Sequence, residues 1–201
     1  MTALNAQQFF IKFPAKLEAN YDAKELIPVF QRWIQKDSLE GVLIDVANYT
    51  HVDEGPGVLL LGHEANWSLD FGEGEPGLLY TRKREALGDV ETRLKDAFRL
   101  ALEACRLLEI EDDIENPISF NTRDFIFGIN NRLLAPNDDE TLQDVQEGLL
   151  HFFDWLFEGE KVELIRDQRR RSRFNVRVRV SREISVSELL SRLGPSLNIL
   201  N

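Results

Sequence analysis

Cysteine is almost missing from this chain: its 201 residues include one, Cys105. A single thiol excludes an intrachain disulfide and any cysteine-built zinc site within the chain. Cys105 falls on the apolar side of a helical pattern, where a small buried hydrophobe is expected rather than a reactive thiol. Histidine is also scarce, at three residues, and no HExxH helix is present. No metal centre is expected. Long apolar runs are absent, as is a leader that joins basic residues to an apolar segment. The expectation is a cytoplasmic protein with no membrane attachment.

Nucleotide and hydrolase signatures are missing too. Gly55, Gly57 and Gly62 belong to a loop that leads into a strand, whereas a phosphate-binding loop leads from a strand into a helix. Turn chemistry accounts for them. No GxSxG motif occurs, and Ser68 lies in a hairpin without a partner base. No cofactor is expected and catalysis is not indicated. Basic charge is in deficit, with 24 Lys and Arg against 35 Asp and Glu and a net charge of −11. That balance repels phosphate and argues against general binding to nucleic acid or an anionic membrane.

What is present is a foldable core. Hydrophobic residues make up 43% of the chain, including 13 Phe, enough apolar surface to offset the entropy of ordering. Phe9 to Phe13, ended by Pro14, reads as a strand at a sheet edge or near its end. A helix follows from Asp22 with Leu26, Val29, Phe30, Trp33 and Ile34 on one face and Pro28 either in its first turn or kinking it. Val42 to Val46 reads as a buried strand. Strands over 57–62 and 78–83, and another over 65–70, make residues 50–84 a hairpin array. A long helix capped by Asp89 carries an apolar stripe from Val90 to Leu108.

The acidic stretch 109–117 reads as a surface connection between two halves, 1–108 and 118–201. The second half repeats the order of the first: strand, helix, strand, strand, then a terminal helix opened by Ser185 and Glu188 and stopped by Gly194-Pro195. Leu26, Val29 and Trp33 recur as Leu142, Val145 and Leu149 at a constant offset of 116. The expected fold is α+β, antiparallel sheet packed by helices, in two pseudo-repeated halves.

Three clusters could carry chemistry. In the first, His51, Asp53, Glu54, His63, Glu64, Asn66 and Asp70 gather imidazoles and carboxylates around a strand, a set suited to metal binding or acid-base work but lacking a ligand repeat. Loop and cap roles are the simpler account. In the second, Tyr80, Arg82 and Arg84 alternate along the strand leaving the hairpin array and, with Asn66 and Trp67, could hold an anionic ligand. His63, Glu64, Asn66, Tyr80, Arg82 and Arg84 are therefore the ligand-binding candidates. The third is basic: eight of the 17 arginines lie between positions 166 and 182 beside one acid, leaving that segment about +7 and the remainder about −18. Strand alternation puts Phe174, Val176, Val178 and Val180 on one face and Arg173, Asn175, Arg177 and Arg179 on the other. A guanidinium row can bind RNA or pair with acidic surface such as 109–115, in the same chain or across a dimer; the overall charge favours the pairing.

The run from Gly55 to Asn66, with Gly77-Leu78-Leu79-Tyr80 after it, resembles a family of conserved bacterial proteins of uncharacterised function, and the resemblance covers most of the chain. It implies a soluble bacterial protein and assigns no site residues. The expected function is thus a non-catalytic interaction or regulatory module, self-associating as a homodimer through apolar helix faces that include Trp155 and Phe157. An acidic protein partner would meet Arg173, Arg177 and Arg179. The alternatives are a small-molecule or anion-binding protein or enzyme using His63, Glu64, Asn66 and Arg82, and an RNA-binding protein using the arginine strand.

Overall fold

The computed structural model describes residues 3–18, 21–169 and 172–195. Along them run β1 (Phe9–Lys16), α1 (Leu26–Gln35), β2 (Leu43–Tyr49), β3 (Gly57–Gly62), β4 (Ala65–Asp70), β5 (Gly77–Arg82) and α2 (Val90–Glu109), then β6 (Ser119–Phe120), β7 (Asp124–Ile129), α3 (Asp139–Leu156), β8 (Val162–Arg166), β9 (Asn175–Val180) and α4 (Val186–Leu193). This is the expected α+β fold. Its antiparallel strands form one sheet in the order β2-β3-β4-β5-β1-β7-β9-β8, with β6 paired to β1. The meander β2-β3-β4-β5 returns to β1, and the hairpin β8-β9 returns to β7.

Helix starts follow local chemistry. Asp89, Asp138 and Ser185 cap α2, α3 and α4 by accepting hydrogen bonds from the backbone N–H groups of Thr92, Thr141 and Glu188. Glu188 does not complete a capping box, since its carboxylate takes Arg192. Asp22 opens a 3-10 turn, and α1 proper begins at Leu26 with Pro28 in its first turn, where no donor is needed.

Two strand expectations need correction. The strand expected at a sheet edge or near its end, β1, is central, between β5 and β7, and runs through Pro14 to Lys16. The proline is tolerated because β1 pairs with β7 only as far as Lys12 and with β6 from Ala15. The missing N–H falls in that gap. Conversely β2, expected to be buried, is the sheet's edge, with Val42 before it 63% exposed and Ile44 within it 57% exposed. A continuous apolar run cannot distinguish a doubly covered strand from an edge strand with apolar outward positions.

One cross-strand row, Val46, Leu60, Trp67, Tyr80, Ile11, Phe127, Val176, runs from β2 to β9 on the helix-covered face. Phe98 of α2 meets Phe13, Phe125 and Phe127 of the sheet and Phe152 and Phe153 of α3, tying both halves into one core. Phe157 is buried in that core against Phe125 and Phe153, so it is not available for assembly. Trp155 stays partly exposed beneath Lys95, whose ammonium lies 4.2 Å from the ring centre. Cys105 is fully buried, and burial pushes its thiol well up.

Candidate functional site

The β3–β4 connection is the tight turn Gly62-His63-Glu64-Ala65, and Gly62 is required there by a close approach. A Cβ on it would meet the Ala65 carbonyl at 2.6 Å and the Trp67 ring at 3.2 Å. The turn is held from both sides. His63 N–H donates to the Val42 carbonyl at 2.8 Å, and Lys83 and Arg84 N–H groups donate to the Glu64 carbonyl at 2.8 and 3.3 Å. The Lys83 ammonium adds a hydrogen bond to the Gly62 carbonyl.

Because a turn interrupts strand alternation, His63 and Glu64 come together instead of pointing to opposite faces. His63 Nδ1 lies 2.7 Å from Glu64 Oε1, and this hydrogen bond holds the Glu64 carboxyl below its usual range. Glu64 Oε2 is buried and makes no hydrogen bond.

Above the turn stands α2, presenting Thr92, Asp96, Arg99 and Leu100 from one side, a helical spacing of four, three and one. The Arg99 side chain is almost fully buried, and it meets Glu40 at 2.8 Å, Glu103 at 3.0 Å and Asp96 at 3.5 Å. Burial opposes its charge, but the Glu103 and Glu40 carboxylates outweigh that and raise its pKa. The Trp67 indole N–H donates to the Leu100 carbonyl at 3.1 Å, joining sheet to helix at this point.

At the end of β5, Arg82 donates to the Arg84 carbonyl at 3.1 Å and the Glu85 carbonyl at 3.2 Å. Tyr80, one pleat deeper on the same face, is buried, which pushes its hydroxyl up to about 12 against the opposing pull of Arg82.

These groups surround a cleft of about 500 Å³. Its floor and walls are Ala65, Trp67 and Leu100, its polar groups Glu40, His63, Glu64, Arg82, Thr92, Asp96 and Arg99, and its rim Val42 and Leu87. Of the predicted binding residues, His63, Glu64 and Arg82 line it. Tyr80 lies beneath it. Arg84 contributes main-chain atoms to its frame, with its side chain exposed.

Asn66 does not join them. It pairs with Leu61 and Thr81, one residue out of phase with Trp67, and so sits on the opposite face of the sheet with its Oδ1 buried and unpartnered. His51 is also elsewhere, stacked on Tyr49 at a ring distance of 6.3 Å. Among the described residues no group of three His, Cys, Asp or Glu is placed to hold a metal ion. Sequence reasoning missed Glu40, Asp96 and Arg99. The signal for the last two was charge within α2 at spacings of three and four, Asp96-Arg99-Glu103, next to Phe98 in an apolar stripe.

The arginine strand presents the alternation expected of it, but its charges are engaged. Arg177 bonds Asp124 at 2.7 Å and also Glu75, and Arg179 bonds Asp124 at 3.1 Å. Arg173 donates to Asn130 Oδ1 at 3.0 Å and lies over the Phe10 ring at 4.3 Å. Arg166 and Arg169 pair with Asp139 and Asp167. Pairing with acids of the same chain was anticipated, but not these acids. The acidic stretch instead binds Arg32 of α1, through Glu111 at 2.7 Å and Asp113 at 2.8 Å. Arg170 and Arg171 lie outside the described residues.

No protein-family model, curated protein or solved structure matches the chain. The resemblance of 55–66 and 77–80 to a bacterial family thus gains no further support, and the site has to be read from its own geometry.

Proposed function

We propose that this protein is a non-catalytic binding module whose working surface is the cleft between the β3–β4 turn and α2, and that its ligand is a small molecule. The observation that carries this reading is the convergence of His63, Glu64 and Arg82 with Asp96 and Arg99 around an apolar wall of Trp67, Ala65 and Leu100. A volume of about 500 Å³ and an apolar wall ringed by polar side chains that can orient a ligand are attributes of ligand pockets. The one hydroxyl among the described lining residues, on Thr92, is held by the capping carboxylate of Asp89, and the charged groups of the cleft are read as ligand contacts. The test is a fragment library screened by ligand-observed NMR against the wild type and against Ala86→Trp, which fills the cleft from its loop side. Fragments should bind the first and be lost from the second. A set of fragments equally retained by the filled variant would overturn the reading.

Self-association is a second reading, favoured by the apolar edge of the sheet. Ile44 and Tyr49 of β2, and Val42 just before it, are exposed; among the described residues no strand pairs with the outer side of β2, and such an edge can pair with a second copy. Light scattering should then find a dimer at tens of micromolar that Ile44→Lys dissociates. A wild-type monomer at that concentration removes this reading.

A further inference from the structure

We infer that the cleft takes a small zwitterion with a large apolar side chain, an α-amino acid or a molecule of that form; the inference rests on the cleft being the working site. The argument is one of charge compensation on its two sides. On the sheet side, the hydrogen bonds of Arg82 to the Arg84 and Glu85 carbonyls orient its guanidinium but bring no negative charge, and it forms no ion pair with another described residue. An anionic group in the cleft would supply what the fold leaves out.

The helix side has the opposite imbalance. Asp96 and Glu103 both lean on the one guanidinium of Arg99, which also meets Glu40. Asp96 is the most loosely held of the three, at 3.5 Å, and its side chain is 38% exposed. Across the cleft His63 answers one oxygen of Glu64, but Oε2 is buried without a hydrogen bond. A cationic donor would be met by acceptors here.

Between these two demands lies the apolar wall of Trp67, Ala65 and Leu100, extended outward by Val42 and by Leu87, which is 83% exposed. An apolar acid would satisfy Arg82 but bring another negative charge to the carboxylates. An apolar amine would satisfy the carboxylates and leave Arg82 uncompensated. A zwitterion answers both, and its side chain covers the aromatic floor.

Three probes with one apolar body separate the cases: 2-naphthylalanine, 2-naphthylacetate and 2-(2-naphthyl)ethylamine, each titrated into the protein by calorimetry. The zwitterion should bind roughly tenfold or more tighter than either singly charged probe, the value of one charge-assisted contact. Arg82→Gln should weaken the zwitterion by a similar factor and leave the amine no weaker. Asp96→Asn should weaken the zwitterion and leave the acid no weaker. Circular dichroism checks that both variants fold, and if either does not, the wild-type ranking decides alone. If the acid or the amine equals the zwitterion, the inference is overturned while the cleft reading stands. If none of the three binds at millimolar concentration, the inference is overturned, and the fragment screen alone decides the cleft reading.

Discussion

Arginine is concentrated in two regions of this protein, and they handle its charge in opposite ways. On β9, Arg177 and Arg179 share Asp124, and Arg177 also takes Glu75, so a row that looks strongly basic in the sequence is largely neutralised in the fold. Near the cleft, Arg82 meets neutral groups, the Arg84 and Glu85 carbonyls and the Tyr80 hydroxyl, while Arg99 is outnumbered by carboxylates. The difference teaches that charge density along a chain is a poor guide to where charge is free to act. Available charge is what remains after the fold has paired its own groups, and here more of it remains in the region with fewer arginines.

Both regions depend on one frame, and the largest expected effect comes from breaking it. Phe98 touches sheet residues of both halves, so Phe98→Ala should cost about 3–5 kcal/mol in chemical denaturation. The loss should appear as a single transition reported equally by probes placed in either region.

Two glycine substitutions separate the regions. In Gly62→Ala the new methyl meets the Ala65 carbonyl at 2.6 Å, and in Gly128→Ala it meets the Phe10 ring and, at 2.7 Å, the Phe174 carbonyl. Each should cost about 1–3 kcal/mol. Only Gly62→Ala should abolish binding in the cleft, and calorimetry on both variants checks this.

A smaller contrast is between the arginines themselves. Arg177→Ala takes the guanidinium from Glu75 and leaves Asp124 with Arg179 alone, and it should destabilise by roughly 1 kcal/mol, a modest value because the side chain is partly exposed. Arg82→Ala should cost less in a thermal melt and more in ligand affinity.

Acid titration gives the smallest effect. Burial raises the Asp167 carboxyl, but hydrogen bonds from Arg169, Asn175 and Ser172 outweigh it and leave the pKa well below the ordinary value. A carboxyl depressed by folding adds stability above its unfolded pKa and loses it as pH falls through the folded one. The Asp167→Asn variant should therefore be less stable than wild type at neutral pH, with the gap closing below about pH 4. Glu64→Gln should behave the same way with smaller amplitude, since its depression comes mainly from His63.

The parts of this fold legible in the sequence were those decided locally. Asp89 and Ser185 cap their helices as read, because a cap needs only the next turn of chain. Strand position was not legible. Pro14 suggested an edge and Val42 to Val46 a buried strand, yet β1 is central and β2 is the edge, because pairing joins residues far apart in sequence. The site was legible in the same partial way. His63 and Glu64 stood out as polar residues after a turn glycine, and Arg82 by its alternation with Tyr80. Asn66 was grouped with them by proximity in sequence, and the two-residue period of β4 sent it to the far face. Asp96 and Arg99 come from a helix that reaches the cleft only in three dimensions.

The most direct test of the cleft as the working site is a two-dimensional NMR titration of the nitrogen-labelled protein with 2-naphthylalanine. The Trp67 indole N–H and the amides of Gly41, Gly62, Thr92 and Leu100 should shift together in a saturable way, while those of Arg177 and Arg179 stay in place. Saturable shifts centred on β9 or along β2, with the Trp67 indole unmoved, would contradict it.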